Sequence, residues 1–214
     1  MYSSIANIRT DYTLNNLSEL DTPNIPMILF SKWWNEAIAS KIEEVNAMTL
    51  STVDKTGIPN ARIVLLKEFN EHGFQFFTNY LSEKGQELEN NNNACLLFFW
   101  KELQRQVRIK GCVQKLSTEQ NQQYFSSRPL ESQLSACVSK QSKILENRQV
   151  LETEIINLKN NIQENFIPCP AYWGGYNVMP YYIEFWQGRP NRLHDRICYQ
   201  KLKKSGWNKY RIAP

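Results

Sequence analysis

The stretch from residue 47 to residue 67, AMTLSTVDKTGIPNARIVLLK, decides the fold class. Its two ends, AMTLSTV at 47–53 and ARIVLLK at 61–67, are rich in the branched and apolar residues that favour strands. Between them stands DKTG at 54–57, a typical turn sequence. Because a connection this short joins strands that run in opposite directions, the stretch predicts an antiparallel hairpin.

The same pattern of strands and turns continues on both sides of this hairpin. NEHG at 70–73 is a second turn, followed by strand sequence at 74–78. Further strands are predicted at 95–101, 106–114, 181–187, 193–201 and 207–212, and helices at 28–45, 84–91 and 143–164. Strands without regular intervening helices disfavour a doubly wound parallel sheet. The sequence therefore predicts an α+β protein, an antiparallel barrel with helices packed outside it.

Length and composition set the domain organisation. The chain has 214 residues, of which 42% are hydrophobic, and this is enough for a folded core. Residues 1–25 are polar and irregular. We therefore expect a mobile N-terminal segment at 1–25 and a single domain at 26–214.

Charge and apolar patterning exclude several classes of partner. The formal net charge is +4 and the basic residues are scattered, which disfavours nucleic-acid binding. No apolar stretch approaches the ~20 residues that span a bilayer, and the first residues do not resemble a secretion signal. The chain has five cysteines, an odd number, and no CxxC pair, which disfavours a disulfide framework and a structural zinc site. Its two histidines cannot alone form a histidine-rich metal site. We predict a cytoplasmic protein with reduced thiols and no metal site.

Basic residues flank an apolar core in RIVLLK at 62–67. Alternation along a strand places Arg62 on one face and Lys67 on the other. The segment is either a buried strand with solvated ends or a strand that presents cations to an anionic ligand.

A second cluster combines hydroxyls, an arginine and amides in SSRPLESQ at 126–133 and SKQS at 139–142. Such donors suit a phosphate group, although ordinary helix capping explains serines equally well.

In a third cluster, NRLHDR at 191–196, the alternating residues Arg192, His194 and Arg196 would project from one face of a strand. Like charges so arranged repel one another unless an anion binds there, which favours a functional interpretation. The nucleotide loops GxGxxG and GxxxxGK[ST] are absent from the sequence.

These segments together resemble the pyridoxine 5′-phosphate oxidase family, and the resemblance runs from about Arg9 to the C-terminal RIAP. The segments that carry it are RIVLLK at 62–67, FTN at 77–79, RQV at 105–107, SRP at 127–129, SQLSACVSKQS at 132–142, WGGY at 173–176, IEFWQG at 183–188 and RLHDR at 192–196. Several long motifs in the correct order are far more specific than one pattern match.

The resemblance implies a split β-barrel homodimer that binds FMN at the subunit interface. It implies oxidation of a small phosphorylated pyridine, pyridoxine or pyridoxamine 5′-phosphate, to pyridoxal 5′-phosphate, with O2 as the acceptor and H2O2 as the by-product. The family's FMN contacts correspond to Arg62, Ile63, Val64, Leu65, Leu66, Lys67, Phe77, Thr78, Lys84, Gln106, Gln141, Ser142, Trp186 and Arg196. Its substrate contacts correspond to Arg9, Tyr12, Lys67, Tyr124, Arg128, Ser132, Arg192 and His194.

Within this set, Arg192 and His194 match the catalytic positions, and Arg9 and Tyr12 match a mobile lid. His194 could accept a proton from the substrate or could act as a hydrogen-bonding wall.

Four positions depart from the family pattern. Glu83 stands where an Arg commonly contacts the FMN phosphate, which reverses a charge. Phe77 replaces a common Tyr, and Thr10 and Asp11 replace an Arg-Glu pair in the lid. Two other functions therefore remain open at this point: a non-catalytic FMN or pyridoxal phosphate binder on the same fold, and a flavin reductase that uses a nicotinamide.

Overall fold

The computed structural model describes residues 4–8, 10–161 and 167–214. The α-helices are α1 Pro26–Ala39, α2 Glu83–Asn90, α3 Thr118–Ser127, α4 Leu130–Val138 and α5 Arg148–Asn161. The strands are β1 Ala47–Val53, β2 Pro59–Leu65, β3 Glu68–Asn70, β4 Gly73–Asn79, β5 Asn93–Trp100, β6 Arg105–Lys115, β7 Trp173–Gln187, β8 Asp195–Lys201 and β9 Trp207–Arg211. Short 3-10 turns occur at Ile5–Asn7, Lys101–Leu103 and Pro190–Arg192.

The strands form one sheet in the order β2-β1-β5-β6-β7-β4-β3, and β8 pairs with both β7 and β9. Strand β4 pairs antiparallel with the first half of β7, so that Phe74 faces Val178 and Asn79 faces Trp173. Strand β8 pairs antiparallel with the second half of β7, where Trp186 faces Arg196. This register places the predicted residues of β7 and β8 side by side.

The chain divides into two compact units, which we describe separately. The terminal unit contains the described residues up to Leu50 together with Cys95–Gly111 and Pro180–Pro214. The central unit contains Ser51–Ala94 and the described residues of 112–179. The expectation of a single domain at 26–214 behind a mobile segment at 1–25 stays a prediction.

Each unit has its own buried aromatic residues. In the terminal unit, Phe30 of α1 packs against Phe98 with ring centroids 5.4 Å apart, and Trp33 meets Phe185 edge-on at 5.2 Å. In the central unit, the core includes Phe125, Leu134, Ile167 and Trp173. These clusters bury the apolar faces of α1, α3 and α4.

Several predicted elements have different ends in the structure. Strand β7 begins at Trp173 instead of residue 181, and β2 ends at Leu65 instead of residue 67. Helix α1 stops at Ala39 instead of residue 45, and Lys41 and Glu44 then adopt positive φ angles of 54° and 47°. Helix α5 begins at Arg148 instead of 143, after the Asn147 side chain accepts a hydrogen bond from the Val150 N–H. Residues 162–164 of that predicted helix lie outside the described residues. Strand β8 begins at Asp195, two residues later than expected.

No helix in the described part of the chain is long and apolar enough to cross a membrane. Within the same residues, no three His, Cys, Asp or Glu side chains group as metal ligands do. The five cysteines are free thiols.

Candidate functional site

The central unit contains a cavity of about 810 Å³, here called the cation cavity. This volume lies within the ~300–1,000 Å³ typical of small-molecule and cofactor sites. The predicted residues that line it are Arg62, Ile63, Val64, Leu65, Lys67, Phe77, Thr78, Lys84, Tyr124, Arg128, Ser132 and Gln141. Segments far apart in sequence therefore meet at one cavity, which the sequence motifs alone could not show.

Arg62, on strand β2, is held in place by a buried carboxylate. Its Nη2 lies 3.1 Å from Glu87 Oε2, and its Nη1 donates to the Thr52 hydroxyl. The Asn60 amide donates to the other oxygen of Glu87. Burial alone would raise the pKa of Glu87, but hydrogen bonds from Thr52 and Asn60 and the charge of Arg62 hold that pKa below its usual value. An ionised Glu87 therefore fixes the guanidinium at the edge of the cation cavity.

Lys84, in the first turn of α2, is a second cation of this cavity. Its Nζ donates to Gln141 Oε1 at 2.8 Å and lies 3.4 Å from the Thr78 hydroxyl. That hydroxyl also donates to Gln141 Oε1, at 3.1 Å. Burial, and then the charge of Arg62, lowers the pKa of Lys84. An ammonium, a hydroxyl and an amide close together form a donor set suited to phosphate oxygens.

Three stacked rings form an aromatic wall of the cavity. The rings of Phe77 and Tyr124 lie 3.9 Å apart and nearly parallel, and Trp173 stacks at 5.4 Å from Phe77. The Arg128 guanidinium lies over Trp173, with 4.6 Å between Cζ and the ring centroid. Burial lowers the pKa of Arg128, and its buried Nη1 has no hydrogen-bond partner among the described residues. A buried guanidinium N–H without a partner is costly unless a ligand supplies an acceptor.

Glu83 is the one acidic departure from the family pattern near these cations. Its side chain is 64% exposed, and its Oε2 lies 3.9 Å from Arg62 Nη2. The carboxylate thus stands beside the cation expected to meet a phosphate.

Two predicted residues of the central unit do not line the cavity. Leu66 is only 4% exposed and belongs to the core. Ser142 is exposed and has a positive φ of 69° in the turn after Gln141. Their assigned contacts with the cofactor stay predictions.

In the terminal unit, Tyr12, Trp186 and His194 form what we call the ring cluster. The rings of Trp186 and His194 lie 4.6 Å apart, and Tyr12 meets Trp186 edge-on at 5.7 Å and His194 at 5.9 Å. The lid residue Tyr12 is thus docked on two other predicted site residues. The second predicted lid residue, Arg9, lies outside the described residues.

His194 has a defined hydrogen bond on one ring nitrogen. The backbone N–H of Arg189 donates to His194 Nδ1 at 3.1 Å. Burial, and then the charge of Arg192, lowers the pKa of the imidazole, while Asp195 opposes this effect. Because Nδ1 accepts a hydrogen bond, the neutral imidazole carries its proton on Nε2. His194 therefore presents an N–H donor on its free side.

The expectation that Arg192, His194 and Arg196 alternate along one strand is wrong. Arg192 lies in the turn Pro190–Arg192, and His194 precedes β8. Asn191 and Arg192 both have left-handed φ angles, 56° and 61°, which cost free energy in residues other than glycine. Arg192 is exposed and has no ion-pair or hydrogen-bond partner within the described residues, so its guanidinium is available for a ligand.

Arg196 instead belongs to a buried ion network centred on Glu184. Arg196 contacts Glu184 Oε1 through Nε at 2.9 Å and Nη2 at 2.8 Å, and Tyr182 donates to Oε2 at 3.0 Å. Arg108 binds the same Oε2. Burial opposes ionisation, but the hydrogen bonds from Arg108 and Arg196 hold the pKa of Glu184 below its usual value. A small cavity of about 290 Å³ beside this network is lined by the predicted residues Gln106, Trp186 and Arg196.

Sequence reasoning missed three residues that shape these sites: Glu87, Glu184 and Trp173. An ionisable residue inside the apolar run IEFWQG could have indicated Glu184 as a buried ion-pair partner. Glu87 stands in a polar helix, where no local signal marks it.

Comparisons with known proteins extend this description. A family model described as pyridoxamine 5′-phosphate oxidase matches residues 34–160, and one described as pyridoxine 5′-phosphate oxidase C-terminal dimerisation region matches residues 173–214. The chain is 50% identical over 214 residues to the pyridoxine/pyridoxamine 5′-phosphate oxidase of Gloeothece citriformis, and the match covers 100% of both chains.

Two solved structures have similar folds. One is PhzG from Burkholderia lata, in complex with tetrahydrophenazine-1-carboxylic acid, with 26% identity, a TM-score of 0.87, and coverage of 94% of this chain and 99% of that one. The other is a pyridoxamine 5′-phosphate oxidase-related, FMN-binding protein from Nostoc punctiforme, with 16% identity, a TM-score of 0.69, and coverage of 90% and 98%. The predicted fold class, an antiparallel split β-barrel with surrounding helices, is confirmed.

Proposed function

Because the chain belongs to the pyridoxine/pyridoxamine 5′-phosphate oxidase family, and is therefore an oxidoreductase, we propose that it oxidises pyridoxine 5′-phosphate or pyridoxamine 5′-phosphate to pyridoxal 5′-phosphate. FMN is the proposed cofactor, O2 the electron acceptor and H2O2 the by-product. One observation carries the proposal: four cations, Arg62, Lys67, Lys84 and Arg128, line the same cavity as the aromatic wall. Four cations suit two phosphates, one on the cofactor and one on the substrate.

The residues of the cavity fit FMN. Lys84, Thr78 and Gln141 offer the donors that a phosphate requires, and Arg62 is held beside them by Glu87. The exposed apolar side chains of Ile63 and Leu65 offer surface to a flat ring system. FMN, when bound, supplies the redox chemistry by accepting a hydride equivalent from the substrate and passing electrons to oxygen. The protein contributes binding, orientation and the electrostatic field.

We assign the substrate phosphate to Lys67, Tyr124, Arg128 and Ser132. The unpaired Nη1 of Arg128 supports this assignment, because a phosphate oxygen would supply its missing acceptor. A phosphate anchored away from the reacting carbon converts remote binding energy into orientation at that carbon.

Arg192 and His194 are the proposed catalytic pair. Arg192 carries a fixed positive charge and a planar fork with no competing partner among the described residues, so it can cover an electron-rich pyridine ring. His194 holds its proton on Nε2. This favours a role as a hydrogen-bond donor that orients the substrate, rather than a role as an obligate base.

We propose that the enzyme is a homodimer with the cofactor at the subunit interface. The match of residues 173–214 to a family dimerisation region supports this, as do the exposed apolar residues on the edge strand β2. A cytoplasmic location stays a prediction.

The test begins with oxygen-free mixing of the FMN-loaded protein with pyridoxine 5′-phosphate or with a reduced nicotinamide. We expect the flavin absorbance to bleach with the phosphorylated pyridine and to return, with formation of H2O2, when air is admitted. Bleaching by the nicotinamide alone would identify a flavin reductase. A flavin that neither compound reduces would identify a non-catalytic binder. Protein that stays colourless in excess FMN would overturn the cofactor assignment.

A further inference from the structure

We infer that Gly188 is a positioning residue that creates the seat for Tyr12 in the ring cluster. Among the described residues, the structure places the Tyr12 ring where a side chain at position 188 would otherwise stand. The inference rests on the proposed function, because it gives the lid residue a fixed place beside His194.

The short distances between Gly188 and the Tyr12 side chain define this seat. A β-carbon built on Gly188 would lie 2.7 Å from Tyr12 Cγ and 2.8 Å from its Cβ and Cδ2, and real β-carbons essentially never approach other atoms within 3.0 Å. Gly188 has an ordinary φ angle, so alanine would meet no backbone strain there. Among the described residues, the three atoms nearest to that β-carbon all belong to Tyr12.

Tyr12 cannot relieve this contact by turning its ring. The nearest atoms include its own Cβ, which does not move when χ1 or χ2 rotates. Gly188 cannot retreat easily either, because its N–H donates to the Gln104 carbonyl at 2.8 Å and the neighbouring Gln187 amide donates to that carbonyl and to the carbonyl of Leu103. A methyl group at position 188 must therefore displace the backbone at Tyr12.

The chain after Tyr12 is firmly attached to the terminal unit. Arg211 forms two ion contacts with Glu19, at 2.7 and 2.8 Å, and donates to the Leu17 carbonyl and to Asp195. The Leu17 N–H donates to Asp195 in turn, at 3.0 Å. These contacts confine a displacement caused at position 188 to the residues around Tyr12.

Displacement of Tyr12 has a consequence at His194. The Tyr12 ring lies beside the imidazole, with 5.9 Å between the ring centroids, and burial is the largest cause of the lowered pKa of His194. Among the described residues, the charged groups that act on His194 are Arg192 and Asp195, with Arg189 and Arg211 paired to Asp195, and none of these four belongs to the lid. Loss of the ring should therefore raise the His194 pKa without changing these charges.

The experiment uses FMN-saturated protein labelled at histidine, whose imidazole signals are followed by NMR as the pH is varied. The chain has two histidines, and His72, exposed in a turn, serves as the internal reference. We expect Gly188→Ala to raise the midpoint of His194 as far as Tyr12→Ala does, with no change at His72. Tyr12→Phe keeps the ring and should leave the midpoint of His194 in place.

The decisive control is the double variant. In the Tyr12→Ala background, Gly188→Ala should have no further effect on the His194 midpoint, because the ring beside the imidazole is already gone. The inference would be overturned if the midpoint of the His194 titration were unchanged in Gly188→Ala. It would also be overturned if the double variant shifted that midpoint further than Tyr12→Ala does alone.

Kinetics separate this inference from the proposed function. With pyridoxine 5′-phosphate, Gly188→Ala should raise KM by about threefold to tenfold, the range expected for one aromatic contact, and change kcat less. Because the NMR measurement does not require turnover, an inactive protein that shows the expected His194 shifts would refute the proposed substrate and leave the seat for Tyr12 intact. If Gly188→Ala lowered kcat but left KM and the His194 midpoint unchanged, the seat for Tyr12 would be refuted and the proposed function would stand.

Discussion

Each of the two compact units contains a buried glutamate that holds arginine side chains, but the two glutamates do so under different charge balances. In the central unit, Glu87 is 4% exposed and binds Arg62 together with the neutral donors Thr52 and Asn60. In the terminal unit, Glu184 is 1% exposed and binds both Arg108 and Arg196.

The difference determines which residue controls each site. Around Arg62 and Lys84 stand two carboxylates, Glu87 and the exposed Glu83, so the charges there balance and one surface residue can shift the balance. Glu184 alone faces two arginines, so the terminal unit depends on a single buried charge. A substitution at the exposed Glu83 can thus change the charge of the central site. A change of charge at the terminal site must replace the buried Glu184, which lowers the stability of the fold.

The largest expected effect separates the two glutamates directly. Glu184→Gln leaves two arginines without their carboxylate and should lower the free energy of unfolding by about 3–5 kcal/mol. Glu87→Gln should cost less, about 1–3 kcal/mol, because its partners include neutral donors that an amide oxygen still satisfies. Urea denaturation of both variants beside the parent protein at neutral pH measures the difference.

The pH dependence sharpens this test. The pKa of Glu184 is lowered from 4.5 in the folded protein, so its ionised form stabilises the fold above pH 4.5, and that contribution is lost as the pH falls through the folded pKa. The gap in stability between the parent protein and Glu184→Gln should therefore shrink below pH 4.5. The comparison would fail if the two glutamate variants lost the same free energy of unfolding. It would also fail if the difference in stability between the parent protein and Glu184→Gln did not depend on pH.

The next effect lies within the terminal unit and concerns the proposed catalytic pair. We expect Arg192→Leu to lower kcat/KM for flavin reduction about a hundredfold or more, because it removes the planar fork and the charge together. His194→Asn should cost only about tenfold, or about 1.4 kcal/mol, because the imidazole already carries its proton on Nε2 and asparagine preserves part of its hydrogen bonding.

Oxygen-free single-turnover mixing with pyridoxine 5′-phosphate measures both losses, and His72→Asn is the matched control. A loss above about a thousandfold for His194→Asn, with Arg192→Leu nearly normal, would make His194 the essential base.

The smallest expected effect lies in the central unit. Glu83→Arg replaces a carboxylate near Arg62 by a cation and should tighten FMN binding by about fivefold, or about 1 kcal/mol, at a site open to solvent. Quenching of flavin fluorescence, titrated at low and at high salt, measures the affinity. Glu89→Arg makes the same charge change on the same helix and should have little effect. If both variants bind FMN as the parent does at every salt concentration, Glu83 does not act on the phosphate.

The amino-acid sequence by itself was sufficient for the fold class and for the identity of most candidate residues. The turn DKTG and the alternation in RIVLLK indicated antiparallel pairing, since both are local properties of neighbouring residues. The ends of α1 and α5 and the starts of β7 and β8 were less well predicted. The helix ends depend on single residues such as Lys41 and Asn147, whose backbone or side-chain contacts break the periodic pattern. The motifs also named Arg128 and His194, but not the state in which each is held.

Only the tertiary structure decided which side chains meet. Tyr12 and Gly188, Glu87 and Arg62, and Glu184 and Arg108 each come from different segments, and no periodicity in either segment indicates the other. The physical reason is that hydrophobic patterning specifies which face of an element is buried, whereas a hydrogen bond, an ion pair or a clash is fixed by distances of a few ångströms between elements. The sequence therefore determined the residue types available to the two sites. The packing of distant segments decided that Arg128 Nη1 has no hydrogen-bond partner among the described residues, that His194 keeps its proton on Nε2, and that Tyr12 rests against a glycine.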